Sequence, residues 1–539
     1  MEFYPNTSIV PTPTRTVRFP ESHALGELST GRWEASSGFR WTPYGHARGT
    51  VTVPVDTPLH VHALSAYVMR RIEQDLSTFT DDDAPEATID LGSFTLLGPN
   101  DIQSVGCNSK HLVDRDLVNL RGLTGLQELA FGYTYLTGSG LAYLQGLGGL
   151  RQLVLSGSAF EAVAVPILAH FDALEVLSLD RCCHLDAAGF SHLHGLPSLR
   201  RLNLSETYVT DRGLSALRDL PILETLFLPY SGITDDGLSA LLRFPSLQTL
   251  DLMGNGIEGP GLAVIRQLPR LSKLRLCDTR IADSDLAYLK GSETLGHLDL
   301  FETSIGDAGL MYVPALAALE ALVLRRTAVR GPGLVHLHEL PRLRHLDVSG
   351  TRIDDLGAQY LAQTRQLQGL DLAATEITDN GLSFLSGLER LQNLSIASNK
   401  IIGVGLAHLS DLPELDTLDL SGTHISDASL SYLCNLPKLR SLDLSRTSIG
   451  DVGLFHLQNM RTLEALLLRE TRVTPVGLEC LGDLTSLQEL DLSNTAVDDT
   501  CLAFFQSLPN LRELHLTHTH VSATGITHLR SRPDLRIYA

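Results

Sequence analysis

The chain has 539 residues, with 42 basic against 62 acidic side chains and a formal net charge of −20. Nucleic acid and anionic membranes are recognised through clustered Lys and Arg, so this balance makes both poor partners. No apolar run is long enough to span a bilayer, and by length alone the chain would make three or four ordinary domains.

Residues 1–58 differ from the rest. Thr and Pro are frequent, and Trp33 and Trp41 stand here with Phe3, Tyr4, Phe19, Phe39 and Tyr44. The first 20 residues read as flexible, and they lack the basic start and apolar core of a standard secretory signal. Arg32 to Val55, with Gly38 and Gly49 between apolar runs, reads as a small hairpin. We expect this segment to be partly ordered and to cap the open end of a repeat array. Residues 59–79 read as one amphipathic helix, with Leu64, Val68, Ile72 and Leu76 on one face. Thr80 to Glu86 is an acidic linker, and Ala87 to Leu91 a first, irregular strand. The expected organisation is therefore 1–58, an N-terminal segment; 59–101, a capping helix and first strand; and 102–539, the repeat array itself.

From Ile102 onward one pattern recurs. Its starts are Ile102, Leu126, Leu150, Leu174 and Leu199, then every 24 residues to Leu511, with a partial strand at Leu535 to Tyr538. That makes about 18 repeats. The unit is clearest from Leu415, position 1, which opens the run LDTLDLSGTHISDASLSYLCNLPK. Leu415, Leu418 and Leu420 show strand alternation with one face buried. Ser426 and Asp427 offer oxygens to the first amides of a helix, and Leu430, Leu433 and Leu436 form its stripe. Pro437 ends it. One unit cannot bury its own apolar face, so the units stack. A period in the twenties marks a leucine-rich repeat. The fold class is an α/β solenoid, a horseshoe with a parallel concave sheet, short convex helices and an N-terminal cap. At about 4.8 Å per strand the sheet would run about 85 Å. The repeat from Leu174 has 25 residues, the extra one lying in Leu179 to Phe190. That insertion reads as a tolerated loop, with a bend or binding site as the alternative.

The repeat sentence LxLSxTxIxDxGLxxLxxLPxL resembles the repeats of bacterial GALA-type effectors and the cysteine-containing repeats of F-box proteins. Leu179 to Phe190 matches the longer form, with Cys182 at the cysteine place and Leu185 at the Ile place. Thr423, Thr447, Thr471 and Thr495 carry the shorter form. The resemblance implies a protein-binding solenoid and, through an F-box ahead of the repeats, recruitment of ubiquitin ligase machinery. Residues 56–100 offer one helix where an F-box needs about three, and Pro58-Leu59 is the trace of its usual start. The Ser/Thr/Pro-rich leader is compatible with non-classical export of a bacterial effector into a host cell. The seven cysteines are odd in number and scattered, which points to a reducing, intracellular compartment.

The sequence holds no phosphate loop, no Gly-x-Ser-x-Gly, no His-Glu-x-x-His and no paired CxxC, so an enzyme is not expected. No cofactor and no metal are expected either. His515, His518 and His520 read as a solvated polar rim rather than ligands. Asp251, Asp299, Asp347, Asp371, Asp419, Asp443 and Asp491 share one outward strand position. Each reads as a solvated or Arg-paired consensus residue, while together they make that face negative. The next outward column is bulky at Pro229, Met253, Cys277, Phe301 and Arg325, then small at Ser349, Ala373, Ala397, Ser421 and Ser445. Exposed aromatic, Met and Arg side chains on adjacent strands resemble a protein-binding hot spot. The expected partner-binding residues are Phe227, Tyr230, Met253, Arg275, Phe301, Arg325 and Arg326. The preferred function is a non-enzymatic scaffold holding a protein partner on the concave face. The alternative is a substrate receptor or effector that recruits ubiquitin ligase machinery through residues 1–100.

Overall fold

The computed structural model describes residues 99–108, 110–529, 532 and 534–539, and before them the backbone of five strands. It divides into two compact units, residues 1–256 with 267–271, and residues 257–266 with 272–539.

One repeat shows how both units are made. In the repeat from Leu415 the strand is Thr417–Asp419, and Leu415, Leu418, Leu420, Ile425, Leu430 and Leu433 are wholly buried. Burying one such side chain contributes about 1.5–3 kcal/mol. The neighbouring repeats supply the burial, through parallel pairing to Asn393–Ser395 on one side and Ser441–Asp443 on the other.

After the strand the chain turns at position 8. There φ is left-handed in every repeat from that beginning at Leu126 to that beginning at Leu511, at Tyr230, Glu302, Arg326 and Ala374 as well as Gly422. This turn aims the position 8 N–H at the position 7 carbonyl of the next repeat, as from Gly422 N to Ser445 O at 2.8 Å. Position 9 is buried. The Thr423 hydroxyl donates to Leu420 O at 2.6 Å, and most later repeats do the same with Thr.

The return segments are short helices, as expected, but half are 3-10 in form, for example Asp427–Asn435; Asp355–Leu361 and Asp451–Leu457 are α-helical. A 3-10 helix rises about 2.0 Å per residue against about 1.5 Å for an α-helix, so few residues recross the unit.

The aspartate at position 13 works differently from the expected cap of its own helix. Asp427 Oδ1 accepts from Gly450 N of the following repeat at 2.8 Å. Asp355 likewise accepts from Thr378 N and Thr378 Oγ1, at 2.8 and 2.7 Å. The close approach demands glycine at position 15 of the next repeat: a Cβ on Gly405 would lie 2.4 Å from Asp379 O. Where position 15 has a side chain, position 13 before it is glycine, as in Gly138 with Ala164, Gly259 with Asp285 and Gly403 with Ser429. Pro475 with Cys501 is the exception.

In the first unit the repeat strands run parallel from Ser104–Asn108 to Thr249–Asp251. Ahead of them stand β1 (Thr14–Arg18), β2 (Glu27–Glu34), β3 (Gly38–His46), β4 (Thr50–Pro54) and β5 (Leu59–Ala63). β1 pairs antiparallel with β4, while β3, β2 and β5 form an antiparallel set whose β5 pairs parallel with Ser104–Asn108. The hairpin therefore spans 27–46 rather than starting at Arg32, and its strands continue the repeat sheet. Leu59–Ala63 is a strand, not the first turn of a helix; two of its five residues are His with alternating apolar neighbours, which suits period two. The rest of the expected helix, the acidic linker and the strand at Ala87 to Leu91 lie outside the described residues. The 25-residue repeat places Cys182 at position 9, buried, its Sγ 3.2 Å from Leu155 O, and absorbs its extra residue before the helix Ala187–Phe190.

In the second unit, twelve strands from Lys273–Arg275 to Arg536–Tyr538 are parallel and in register.

Candidate functional site

Strand alternation sends positions 3, 5 and 7 outward, and these columns form the exposed face of each sheet. In the first unit that face is not open everywhere. Ser104, Glu128 and Gln152 are buried and joined, Ser104 Oγ to Glu128 Oε2 at 3.1 Å and Gln152 Nε2 to Glu128 Oε1 at 3.0 Å. At Arg201–Asn203 and Thr225–Phe227 the outward side chains are half-buried, while Asp251 and Met253 beyond them are buried.

Phe227 is half-buried on its strand, and Tyr230 is 47% exposed in the left-handed turn after it. The Tyr230 ring lies on the backbone of Gly254, where a Cβ would meet it at 2.1 Å. Met253 is buried, 8% exposed, and offers its carbonyl to Tyr230 N at 2.8 Å. Tyr133 lies over Gly157 in the same way, and Arg181 ties Tyr133 Oη at 2.8 Å to Glu206 at 2.8 Å. Tyr208 is 71% exposed. Tyr133, Arg181 and Glu206 at position 8 and Tyr208 at position 10 were outside the expected site. A signal of the turn itself was available: Gly recurs at position 8, at Gly157, Gly254, Gly350 and Gly422, with Asp278 and Asn494 once each, the residue types that tolerate a left-handed backbone.

In the second unit, Arg275 is buried at 9% exposure, with Nε 3.3 Å from Asp299 Oδ2. Phe301 is half-buried, and two guanidinium groups stand by its ring, Arg325 at 5.4 Å and Arg326 at 5.9 Å from the centroid. Arg326 also pairs with Glu302 at 2.8 Å. Of the seven expected residues, then, Phe301, Arg325 and Arg326 form one cluster. Phe227 and Tyr230 reach solvent, and Met253 and Arg275 are covered.

The aspartate column is a turn device first. Each Oδ1 accepts the N–H two residues on, as in Asp371 to Ala373 N at 2.8 Å, Asp419 to Ser421 N at 2.9 Å and Asp443 to Ser445 N at 2.8 Å. Burial pushes the Asp371 carboxyl above its ordinary value; Ala373 N–H opposes this, and Asp347 and Asp419 add to it. Asp443 is raised by burial too, opposed by Ser445 and reinforced by Asp419 and Asp491. Asp347 stands beside Asp371, and Asp419 beside Asp443, in strand register.

A general leucine-rich repeat family model matches residues 365–425 and 437–497, and a second matches 195–217, 245–265, 340–362 and 507–529. No curated protein matches the sequence. Solved structures that resemble it include an internalin of Listeria monocytogenes, 24% identical over 56% of this chain and 82% of that one, with a TM-score of 0.44. A leucine-rich repeat protein of Leptospira interrogans is 20% identical over 78% and 92%, with a TM-score of 0.41. A plant peptide hormone receptor solved in complex with RGF2 is 16% identical over 83% and 86%, with a TM-score of 0.38. No helix among the described residues is long and apolar enough to cross a membrane. The expected ubiquitin-recruiting region, residues 1–100, lies mostly outside the described residues.

Proposed function

We propose that this leucine-rich repeat chain is a non-enzymatic scaffold that holds a partner protein on the outward sheet face. The Phe301, Arg325 and Arg326 cluster of the second unit is the anchor, and Phe227 and Tyr230 form a contact area of the first. The observation that carries this reading is an aromatic ring with two guanidinium groups within 5.9 Å of its centroid, both on exposed Arg residues of the next repeat. Aromatic and Arg side chains dominate binding energy at interfaces, and a pre-positioned ring loses little freedom on binding. The neighbouring Asp347 and Asp371 give the same face a negative flank, so the partner surface we expect is mixed in charge around an apolar centre. The seven cysteines all lie among the described residues and none is in a disulfide; with Cys183 and Cys434 exposed as thiols, this supports a reducing compartment.

The test is affinity capture with the full chain and with a Phe301→Ala, Arg325→Ala double variant, each checked for unchanged circular dichroism. Loss of the captured proteins with the variant is the expected result. Retention of the same set by both would remove the anchor from the reading.

A further inference from the structure

We infer that the second unit carries a divalent transition-metal site made by Glu489, Glu513 and His515. The strands Glu489–Asp491 and Glu513–His515 pair in parallel, with Glu489 opposite Glu513 and Asp491 opposite His515. Positions 3 and 5 both face outward, so all three side chains project from one face. A carboxylate oxygen from each Glu and a ring nitrogen of His515 lie within 4.8 Å of one another, and all three residues are half-buried. Tetrahedral donors at about 2.0–2.1 Å from an ion stand about 3.3 Å apart, a gap that rotation of the glutamate side chains closes.

Two further observations give the cluster direction. The His515 ring stacks on Tyr538, centroids 4.4 Å apart and planes 9° off parallel, which covers a face of the ring and leaves the nitrogen-bearing edge to bind. Like charges directly opposite each other on paired strands destabilise the pairing, and a cation between Glu489 and Glu513 removes that repulsion. Arg536 supplies part of this now, its Nη1 3.4 Å from Glu513 Oε1, and a metal must displace it. Asp491 has Oδ1 engaged by Ser493 N at 2.8 Å. Two carboxylates with one imidazole suit zinc, cobalt or nickel better than calcium, which takes oxygen donors alone. His518 and His520 are not among the converging donors.

Cobalt(II) titrated into the full chain reads the site through its visible absorption. One band is expected with the wild type and with His518→Ala. It is lost in His515→Ala and in Glu513→Gln, and it forms at lower cobalt concentration in Arg536→Ala. Circular dichroism confirms that each variant is folded. Absence of the band from the wild type, or its survival in both His515→Ala and Glu513→Gln, overturns the assignment.

Discussion

The Gly405 N–H donates to Asp379 Oδ1 at 2.7 Å, across the boundary between two successive repeats. Gly403 N adds a second bond to the same oxygen at 2.9 Å, and Ile402 N binds Oδ2 at 2.8 Å. One carboxylate thus satisfies the start of its neighbour's return segment, the amides a helix N-terminus leaves unpaired.

Replacing Gly405 with Ala therefore drives a methyl group to 2.4 Å from Asp379 O, a backbone atom that cannot swing aside. A loss of about 1–3 kcal/mol is expected, the usual range for overpacking. Gly146→Ala, with nothing within 4 Å of the new atom, should be nearly neutral. Denaturant unfolding of the two variants beside the wild type checks the pair; equal effects would remove the steric argument.

Asp114 binds the next repeat through Thr137 N, Thr137 Oγ1, Gly138 N and Gly140 N. Burial raises its carboxyl, but the bonds from Gly140, Thr137 and Gly138 outweigh this and hold it below the ordinary 3.8. A depressed carboxyl stabilises the fold fully above its unfolded value, and this is lost as pH falls through the folded one. Asp114→Asn should flatten the loss of stability below pH 3.8 relative to wild type, measured by urea midpoints across acid pH. Parallel acid limbs would count against the staple.

The sign reverses for Asp443, whose carboxyl is raised by burial and by Asp419 and Asp491. The folded state there holds its proton more readily than the unfolded one, so stability falls as pH rises from 3.8 through the folded value. Asp443→Asn removes the repulsion and keeps the turn bond, as Asn203 Oδ1 does for Ser205 N at 3.0 Å. A gain of up to about 1 kcal/mol is expected at neutral pH, shrinking toward acid. Thermal melts at two pH values measure it, and a destabilised variant at neutral pH would contradict the assignment.

Asn399 replaces the usual Thr at position 9. Its Nδ2 donates to Leu372 O at 2.7 Å, and its Oδ1 accepts from Thr375 N and Thr375 Oγ1, each at 3.0 Å. Asn399→Ala leaves Thr375 N and Ile396 O without the bonds that Asn399 supplies, with an expected loss of about 2–3 kcal/mol. Asn399→Thr should lose less, because a Thr hydroxyl can bond the position 6 carbonyl. The same loss from both variants in chemical unfolding would contradict the bond inventory.

Much of this was legible from the residues. Leu415, Leu418 and Leu420 located the strand, and the outward placement of Asp371 and Phe301 came from alternation. What escaped was coupling between repeats. Asp427 reads as a cap for its own helix because Ser426 stands beside it, and only stacking shows that its oxygen reaches Gly450. Met253 shares a column with Phe301 and Arg325, and Arg275 shares one with Phe227, yet Met253 and Arg275 are buried; column membership gives direction and not exposure. Leu59–Ala63 misled because no Gly or Pro parts it from the stripe at Leu64, Val68, Ile72 and Leu76, although Leu59 and Val61, two apart, fit a strand and not a helix.

The alternation of aspartate against glycine and glycine against a side chain makes many repeat boundaries keyed joints. Excising residues 439–462 would bring Asp427 against Gly477, a matched joint that the array can reclose. Excising residues 391–414 would bring Asp379 against Ser429, where both sides fill the same space. Gene shortening by whole units is thus tolerated at some boundaries and forbidden at others, and the order of the repeats carries information that their shared consensus hides.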